Sequence, residues 1–451
     1  DYVGVGTFGL DVTGVMGLDD LHEPSGIIRR AQELAAEAFG ADHSFFLVNG
    51  TTAGLHAMIM TACTPGDKII VARNMHKSAL AGVILSGAHP VYVVPEMDLS
   101  LGLAMGVTPG AIEGALEAHP DARAVLLVSP TYYGVTSDVR AISEVVHARG
   151  IPLLVDEAHG PHFRFHEGLP LPALQAGADA CAHGMHKILG GMTQASILHV
   201  REGRIDLPRL KRVLAMIQTT SASYVLMSSL DIARMQVATC GRELIDRAIN
   251  LAETLRSGVR AIPGLTSFGR EHIGRPGACG LDPTKVTVGV RDIGVSGQEA
   301  EVFLRDRHGI QVELSDLFNV LFIVGFGNTE LEVSRLIGAL NHLAEDAPFE
   351  RNPRTVEILE AAGRYGPLPP VPPLAVFPRE AFDRPSTAVP LDQANGGICA
   401  ELVTCYPPGI PIICPGERVT PEVIDYLSVI RRSGLRISGP ADPTLESLRL
   451  I

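Results

Sequence analysis

The chain has 451 residues, 46% of them hydrophobic and 19% charged, with a formal net charge of -13. That length exceeds what one compact core supports and points to two or three domains. The acidic balance argues against nucleic-acid binding; it is compatible with a cationic ligand, though plain solubility is the better explanation of it.

In chain order, a helical pattern over Ile27–Phe39 precedes an apolar run at Ser44–Val48. Further runs follow at Ile69–Ala72, Val91–Val94, Ala124–Val128, Ile151–Val155 and Ser196–Val200, with another helical pattern at Thr108–Ala118. Short apolar strands alternating with amphipathic helices predict an α/β domain built on a mostly parallel sheet buried on both faces. A helical stretch over Leu207–Ile262 ends at Pro263-Gly264, and strands near Lys285–Val290 and Val320–Val324 predict a smaller α/β unit. The proline-rich segment Tyr365–Pro390 reads as a linker or extended wrap, and the stretch to Ile451 as a small separate unit. The expected domains are 1–265, 266–365 and 366–451. No apolar run is long enough to cross a bilayer. Seven scattered cysteines without CxxC spacing read as reduced thiols of a cytoplasmic protein. Because the sequence opens on Asp1 rather than Met, a leading segment is expected upstream.

Ligands of open α/β sheets bind beyond the carboxyl ends of the strands. After the first run comes Asn49-Gly50-Thr51-Thr52-Ala53-Gly54, a tight turn into a helix. Its free N–H groups and hydroxyls suit a phosphate, although a capped helix start would read the same way. His76 follows the second run, and Ser129-Pro130-Thr131-Tyr132-Tyr133-Gly134 the fourth. Asp156-Glu157-Ala158-His159-Gly160 follows the fifth, where a buried carboxylate calls for a cation such as a protonated pyridine nitrogen. His183-Gly184-Met185-His186-Lys187 precedes the next strand, with a lysine among apolar neighbours that favour a free amine. Each fragment alone has a bland explanation. Together, at successive sheet-end loops, they supply what pyridoxal 5'-phosphate requires: a phosphate cup, a stacking group, a carboxylate and an amine.

These segments resemble the Orn/Lys/Arg decarboxylase family, of the aspartate-aminotransferase fold type I, in its short form without a wing domain. The resemblance also runs through Gly17–His22, Asn74–Ser78, Thr193–Ser196, Thr219–Tyr224, Tyr406–Pro411 and Pro415–Glu417. It implies decarboxylation of a basic amino acid, arginine or lysine before ornithine. Lys187 would carry the cofactor as a Schiff base, Asp156 would face the pyridine nitrogen, and His76 would stack on the ring. Gly50, Thr51, Thr52 and His186 would hold the phosphate, with His159 nearby. Ser221 would reach the phosphate of a neighbouring subunit across a homodimer interface. Lys187 or His186 would return the proton to the substrate carbon. Glu313, Asp316 and Glu417 are candidates for substrate recognition, Glu417 together with the tyrosine-proline loop before it. Two departures stand out: Gly184 replaces a common serine, and Asp11-Val12-Thr13-Gly14 departs from an Asp-hydrophobic-Thr-Glu loop.

The main rival is another enzyme of the same fold, an aminotransferase or a lyase. The histidines at 159, 162, 166, 183 and 186 lack zincin spacing, so no metal is expected. Gly4-Val5-Gly6-Thr7-Phe8-Gly9 fits GxGxxG but lacks a preceding strand and a following acid. A catalytically dead scaffold would have no physical need for both Lys187 and Asp156.

Overall fold

The structure, a computed structural model, describes residues 4–350, 369–405, 409–433 and 437–451. Its centre is a sheet of seven strands: β1 (His43–Leu47), β2 (Lys68–Ala72), β3 (His89–Val93), β4 (Ala122–Val128), β5 (Leu153–Asp156), β6 (Ala180–His183) and β7 (Ser196–Val200). Their order across the sheet is β1-β7-β6-β5-β4-β2-β3. Every neighbouring pair from β6 to β3 is parallel, while β7 runs antiparallel to both β1 and β6.

Alternate residues of these strands feed opposite cores, which is why the runs are apolar throughout. Ile69, Val71, Leu126 and Leu154 pack with the helices Gly50–Ala62, Lys77–Ser86 and Leu207–Ile217. Ile70, Ala72, Leu127 and Val155 face the helices Pro109–Ala118 and Val139–His147. Strand β6 escapes a search for β-branched runs because it reads Ala-Cys-Ala-His. Small residues are what its place at the sheet centre demands. A Cβ added at Gly54, on the covering helix, would lie 2.8 Å from Leu47 Cδ1 and 3.2 Å from Ala182 Cβ.

The single helical stretch expected at 207–262 is two helices, Leu207–Ile217 and Tyr224–Arg260. Gln218 ends the first by turning its side chain onto the β1 segment, accepting from Val48 N at 2.9 Å and donating to Phe46 O at 3.3 Å. Ser223 Oγ caps the second. That second helix serves two cores. Met227, Leu230 and Val237 pack against the large sheet, whereas Leu251, Leu255 and Val259 belong to the smaller α/β unit. The smaller unit contains β8 (Lys285–Gly289), β9 (Leu314–Ser315) and β10 (Asn319–Ile323), antiparallel in the order β8-β10-β9, with helices Gly297–His308 and Glu330–Glu350.

The C-terminal unit packs Val403, Ile412, Ile413, Val423 and Leu427 into a further core that also takes in Leu317 and Phe318 of the smaller unit. The expected boundary at residue 365 lies outside the described residues. The GxGxxG match falls on the short helix Val5–Leu10 rather than on a strand-turn-helix, and residues 11–14 follow it in an exposed segment. Among the described residues, no helix is long and apolar enough to cross a membrane. Cys63, Cys181, Cys240, Cys279, Cys399 and Cys414 are free thiols.

Candidate active site

The parallel strands converge on one group of side chains at their carboxyl ends. Strand β5 ends on Asp156, and His159 lies in the turn after it. Strand β6 ends on His183; Gly184 then turns the chain into the short helix Met185–Ile188, which carries Lys187. A Cβ at Gly184 would stand 2.9 Å from Ala158 O and 3.2 Å from Lys187 Cδ. Glycine at this position therefore lets the lysine stem pass close to the β5 turn.

Lys187 Nζ lies 2.7 Å from His159 Nε2. On the other side of the same ring, Lys285 Nζ lies 2.9 Å from His159 Nδ1. The Tyr132 ring flanks this group, its centroid 4.7 Å from that of His159 and 5.5 Å from Lys187 Nζ. Burial lowers the Lys187 amine from its usual range, opposed by the charges of Asp156 and Glu313. Burial also drives His159 well below the ordinary imidazole value, and the cations of Lys285 and Lys187 push it the same way. The ring is therefore neutral.

Asp156 is 6% exposed. Its Oδ1 accepts from Ala158 N at 3.2 Å, and among the described residues no cation stands within ion-pairing distance. Burial raises its carboxyl above the usual range, with the Lys187 charge pulling the other way. A buried carboxylate without a counter-ion matches the requirement of a pyridinium nitrogen.

His76 caps the helix Lys77–Ser86, its Nδ1 accepting from Ser78 N at 3.2 Å and lying 2.6 Å from Ser78 Oγ. Burial and the nearby Lys187 and Lys77 charges press it down to about 4, so this ring too is neutral and suited to stacking. The turn ahead of the helix Gly50–Ala62 leaves Thr52 exposed, holds Gly50 at φ 76° and sets Thr51 Oγ1 2.9 Å from Ser196 Oγ. Asn49 Oδ1 accepts from Thr219 N at 3.2 Å, so the segment carrying Ser221 leaves from beside this cup. Ser221 itself is exposed. His186 Nδ1 is anchored on Ala195 O at 3.2 Å.

The three acidic candidates for substrate recognition separate. Glu313 is exposed, and its charge acts on Lys187, His186 and Lys285. Asp316 is occupied by its own turn: Oδ1 accepts from Phe318 N and Asn319 N, both at 2.7 Å, and Oδ2 takes the Tyr133 hydroxyl at 2.5 Å. Glu417 is fully buried, with Arg73 Nη1 and Nη2 at 2.5 and 2.9 Å and Cys414 N at 2.8 Å. Its oxygens are satisfied inside the protein, which corrects the expectation that it meets substrate. Residues 406–408, of the loop expected to act with it, lie outside the described residues.

Sequence reasoning missed Lys285 and Arg73. Lys285 was readable as a lone cation opening an apolar strand, one of five lysines in the chain. Arg73 stands at the end of β2 just before the His76 loop, but nothing in the sequence announces a partner 344 residues away.

Residues 1–332 match the major domain of the Orn/Lys/Arg decarboxylases, and residues 370–441 match their C-terminal domain. An arginine decarboxylase of Halalkalibacterium halodurans is 46% identical over 453 aligned residues, covering 100% of this chain and 90% of that protein. One of Bacillus subtilis is 44% identical with the same coverage of both chains. Among solved structures, lysine decarboxylase A from Pseudomonas aeruginosa superposes with a TM-score of 0.84 at 25% identity, covering 100% of this chain and 75% of that one. The large sheet, the lysine turn after β6 and the C-terminal unit are thus those of a decarboxylase with the type I fold of pyridoxal-phosphate enzymes, and the chain belongs to the Orn/Lys/Arg decarboxylase family.

Proposed function

We propose that this protein decarboxylates arginine to agmatine with pyridoxal 5'-phosphate held on Lys187. Both named relatives at or above 44% identity are arginine decarboxylases, whereas the lysine decarboxylase LdcA of Pseudomonas aeruginosa is 27% identical. The observation that carries the cofactor assignment is the pairing of a half-buried amine at 187, lowered from its usual range, with a buried carboxylate at 156 that has no counter-ion among the described residues.

When bound, the cofactor supplies an aldehyde for amine condensation and a conjugated ring that takes up the electrons left as carbon dioxide departs. The roles of the protein follow from its own groups. Asp156 would hold a proton on the ring nitrogen. The neutral His76 ring would cover one face of the cofactor. Thr51, Thr52 and the N–H groups at the start of the helix Gly50–Ala62 would take the phosphate, with His186 beside them. The Lys187 amine, whose proton affinity burial lowers, would shuttle a proton to and from the substrate carbon, with His186 as a second donor. Glu313, exposed and electrostatically coupled to this cluster, suits a guanidinium at the far end of the substrate. Asp316 would act indirectly by holding Tyr133. A reading as an aminotransferase differs in product, a keto acid in place of an amine.

The protein is further read as a cytoplasmic homodimer in which Ser221 meets the neighbouring subunit's phosphate. The free cysteines and the exposure of Ser221 support this picture.

The test has two parts. Borohydride reduction of the cofactor-loaded protein should tag the peptide containing Lys187. Incubation with arginine, lysine and ornithine separately should release agmatine fastest. A tag on another lysine would refute the Lys187 assignment, and cadaverine or a keto acid as the main product would refute the substrate or reaction assignment.

A further inference from the structure

Four polar side chains that the proposed reaction does not use lie together inside the large domain. Cys181 and His183 are two apart on β6 and so share one face of the sheet. His199 of β7 is the cross-strand neighbour of Cys181. Glu157 follows the end of β5, which pairs with β6 in parallel register, Asp156 opposite Ala182. All four are buried, Cys181 and His199 completely. The sheet register, rather than linear spacing, brings them together.

The atoms they present are metal donors. A carboxylate oxygen of Glu157, Cys181 Sγ and a ring nitrogen of His183 lie within 4.8 Å of one another. His183 Nε2 stands 3.6 Å from Cys181 Sγ and 2.8 Å from Glu157 Oε2. The other oxygen of Glu157 accepts from Ala173 N at 2.8 Å, which turns Oε2 to the cluster. On a tetrahedral zinc, with bonds of about 2.3 Å to sulfur and about 2.0 Å to nitrogen or oxygen, a sulfur and a nitrogen stand about 3.6 Å apart and an oxygen and a nitrogen about 3.3 Å. The first separation is already met, and the second needs an opening of about half an ångström.

His199 supplies an independent observation. Its Nδ1 lies 2.7 Å from Ser44 Oγ, across the pairing of β7 with β1. Its Nε2 is buried and has no partner among the described residues. Strand β7 lies between β1 and β6, and the two ring nitrogens diverge, so Nε2 is directed away from β1, on the side of Cys181 and His183. The His183 and His199 ring centroids are 4.7 Å apart. A histidine ligand characteristically gives one nitrogen to an outer hydrogen bond and the other to the metal, and His199 on Ser44 has that arrangement. The Phe39 ring covers both histidines, its centroid 4.5 Å from that of His199 and 5.3 Å from that of His183. Left to hydrogen bonds alone, the cluster keeps an idle His199 lone pair and, with His183 neutral, an uncompensated Glu157 charge. A divalent ion held by one carboxylate, one thiolate and two neutral imidazoles has no net charge and occupies every one of these donors.

We propose that Glu157, Cys181, His183 and His199 form a structural zinc site that ties together the strands β5, β6 and β7 beside the turns carrying Asp156 and Lys187. One sulfur, two imidazole nitrogens and one carboxylate oxygen suit zinc rather than calcium or magnesium, which take oxygen sets. Four protein ligands leave no open position for chemistry. As the ion binds it takes the place of the Cys181 thiol proton, and His183 keeps its hydrogen on Nδ1, so one proton is released.

The full-length protein, produced in zinc-supplemented medium and desalted, should carry one zinc per chain by elemental analysis and keep it through a brief EDTA wash. Production with cobalt in place of zinc should give the visible bands of a tetrahedral ion together with a near-ultraviolet thiolate-to-cobalt band. Cys181→Ser should abolish that near-ultraviolet band. Ser44→Ala leaves every donor in place and should weaken zinc about tenfold or more in competition with a chromophoric chelator. Zinc content below about one-tenth per chain, zinc lost to the EDTA wash, a thiolate band that survives Cys181→Ser, or undiminished affinity in Ser44→Ala overturns the proposal. Should Cys181→Ser not fold, the wild-type protein decides: cobalt bound without a thiolate band overturns the assignment equally.

Discussion

Replacing Glu417 with alanine tests whether this carboxylate serves the fold or the substrate. Arg73 and Glu417 join the end of β2 to the C-terminal unit through two hydrogen bonds, and Arg73 also donates to Ile412 O at 3.0 Å and lies 4.7 Å from the Tyr92 ring centroid. Glu417→Ala removes the counter-ion of an arginine that is 1% exposed and frees Cys414 N from its acceptor. Breaking one side of a buried ion pair costs about 3–5 kcal/mol. A chain with several cores need not unfold in one step, so a local probe is preferable to a melting temperature. Amide exchange across 409–418 should therefore accelerate by about two orders of magnitude or more, which is the same cost read as a local opening. The double variant Arg73→Met/Glu417→Leu exchanges the pair for apolar bulk and should return to within about tenfold of the wild-type rates. KM should stay within about twofold in whatever fraction remains folded, since a buried pair far from solvent offers substrate nothing. Unchanged exchange combined with a raised KM in Glu417→Ala would refute this reasoning and return Glu417 to the substrate site.

Three further outcomes are expected. Because His76 is pressed from 6.5 down to about 4, the unfolded chain binds its proton first. Folding stability from this group is therefore intact above about pH 6.5 and is lost as pH falls towards 4, up to about 3 kcal/mol. His76→Phe should flatten the pH dependence of the urea midpoint between pH 4 and 6.5, and an unaltered slope would contradict the assigned shift. Asp156→Asn should retain cofactor yet lose about two orders of magnitude or more in kcat, roughly 3 kcal/mol of barrier, as followed by carbon dioxide release. Glu313→Gln should raise KM for arginine about tenfold with a smaller effect on kcat, in line with one charge-assisted hydrogen bond; an unchanged KM would remove Glu313 from the pocket.

Much of this was legible in the sequence because it depends on local pattern. Ile27–Phe39 and Ser196–Val200 begin and end where the periodicity predicts. The residues proposed for the cofactor fall where the sheet-end rule puts them, because that rule needs only strand ends. What was illegible is non-local. The strand Ala180–His183 hides because packing against a close helix selects small residues over β-branched ones. The break at 218–223 is set by Gln218 reaching the β1 segment, a tertiary contact that overrides helical propensity. Glu417 looked like a site residue in a motif-rich loop, and only the fold reveals Arg73 at its side.

The placement of Lys285 explains why the site is assembled from two cores. Lys187 and His159 come from the large sheet; Lys285 and Glu313 come from the smaller α/β unit. Bringing a buried and a half-buried lysine together is costly unless each finds an acceptor, and one imidazole can serve both only if one lysine gives up its proton. The large domain alone would leave Lys187 free to stay charged beside Asp156. Docking the smaller unit adds Lys285, whose Nζ lies 2.9 Å from His159 Nδ1. The number of protons the two lysines hold between them is thus limited by domain packing rather than by any single neighbour. A mutation that loosens the shared helix Tyr224–Arg260 should therefore raise the Lys187 titration midpoint even when every residue around the amine is intact.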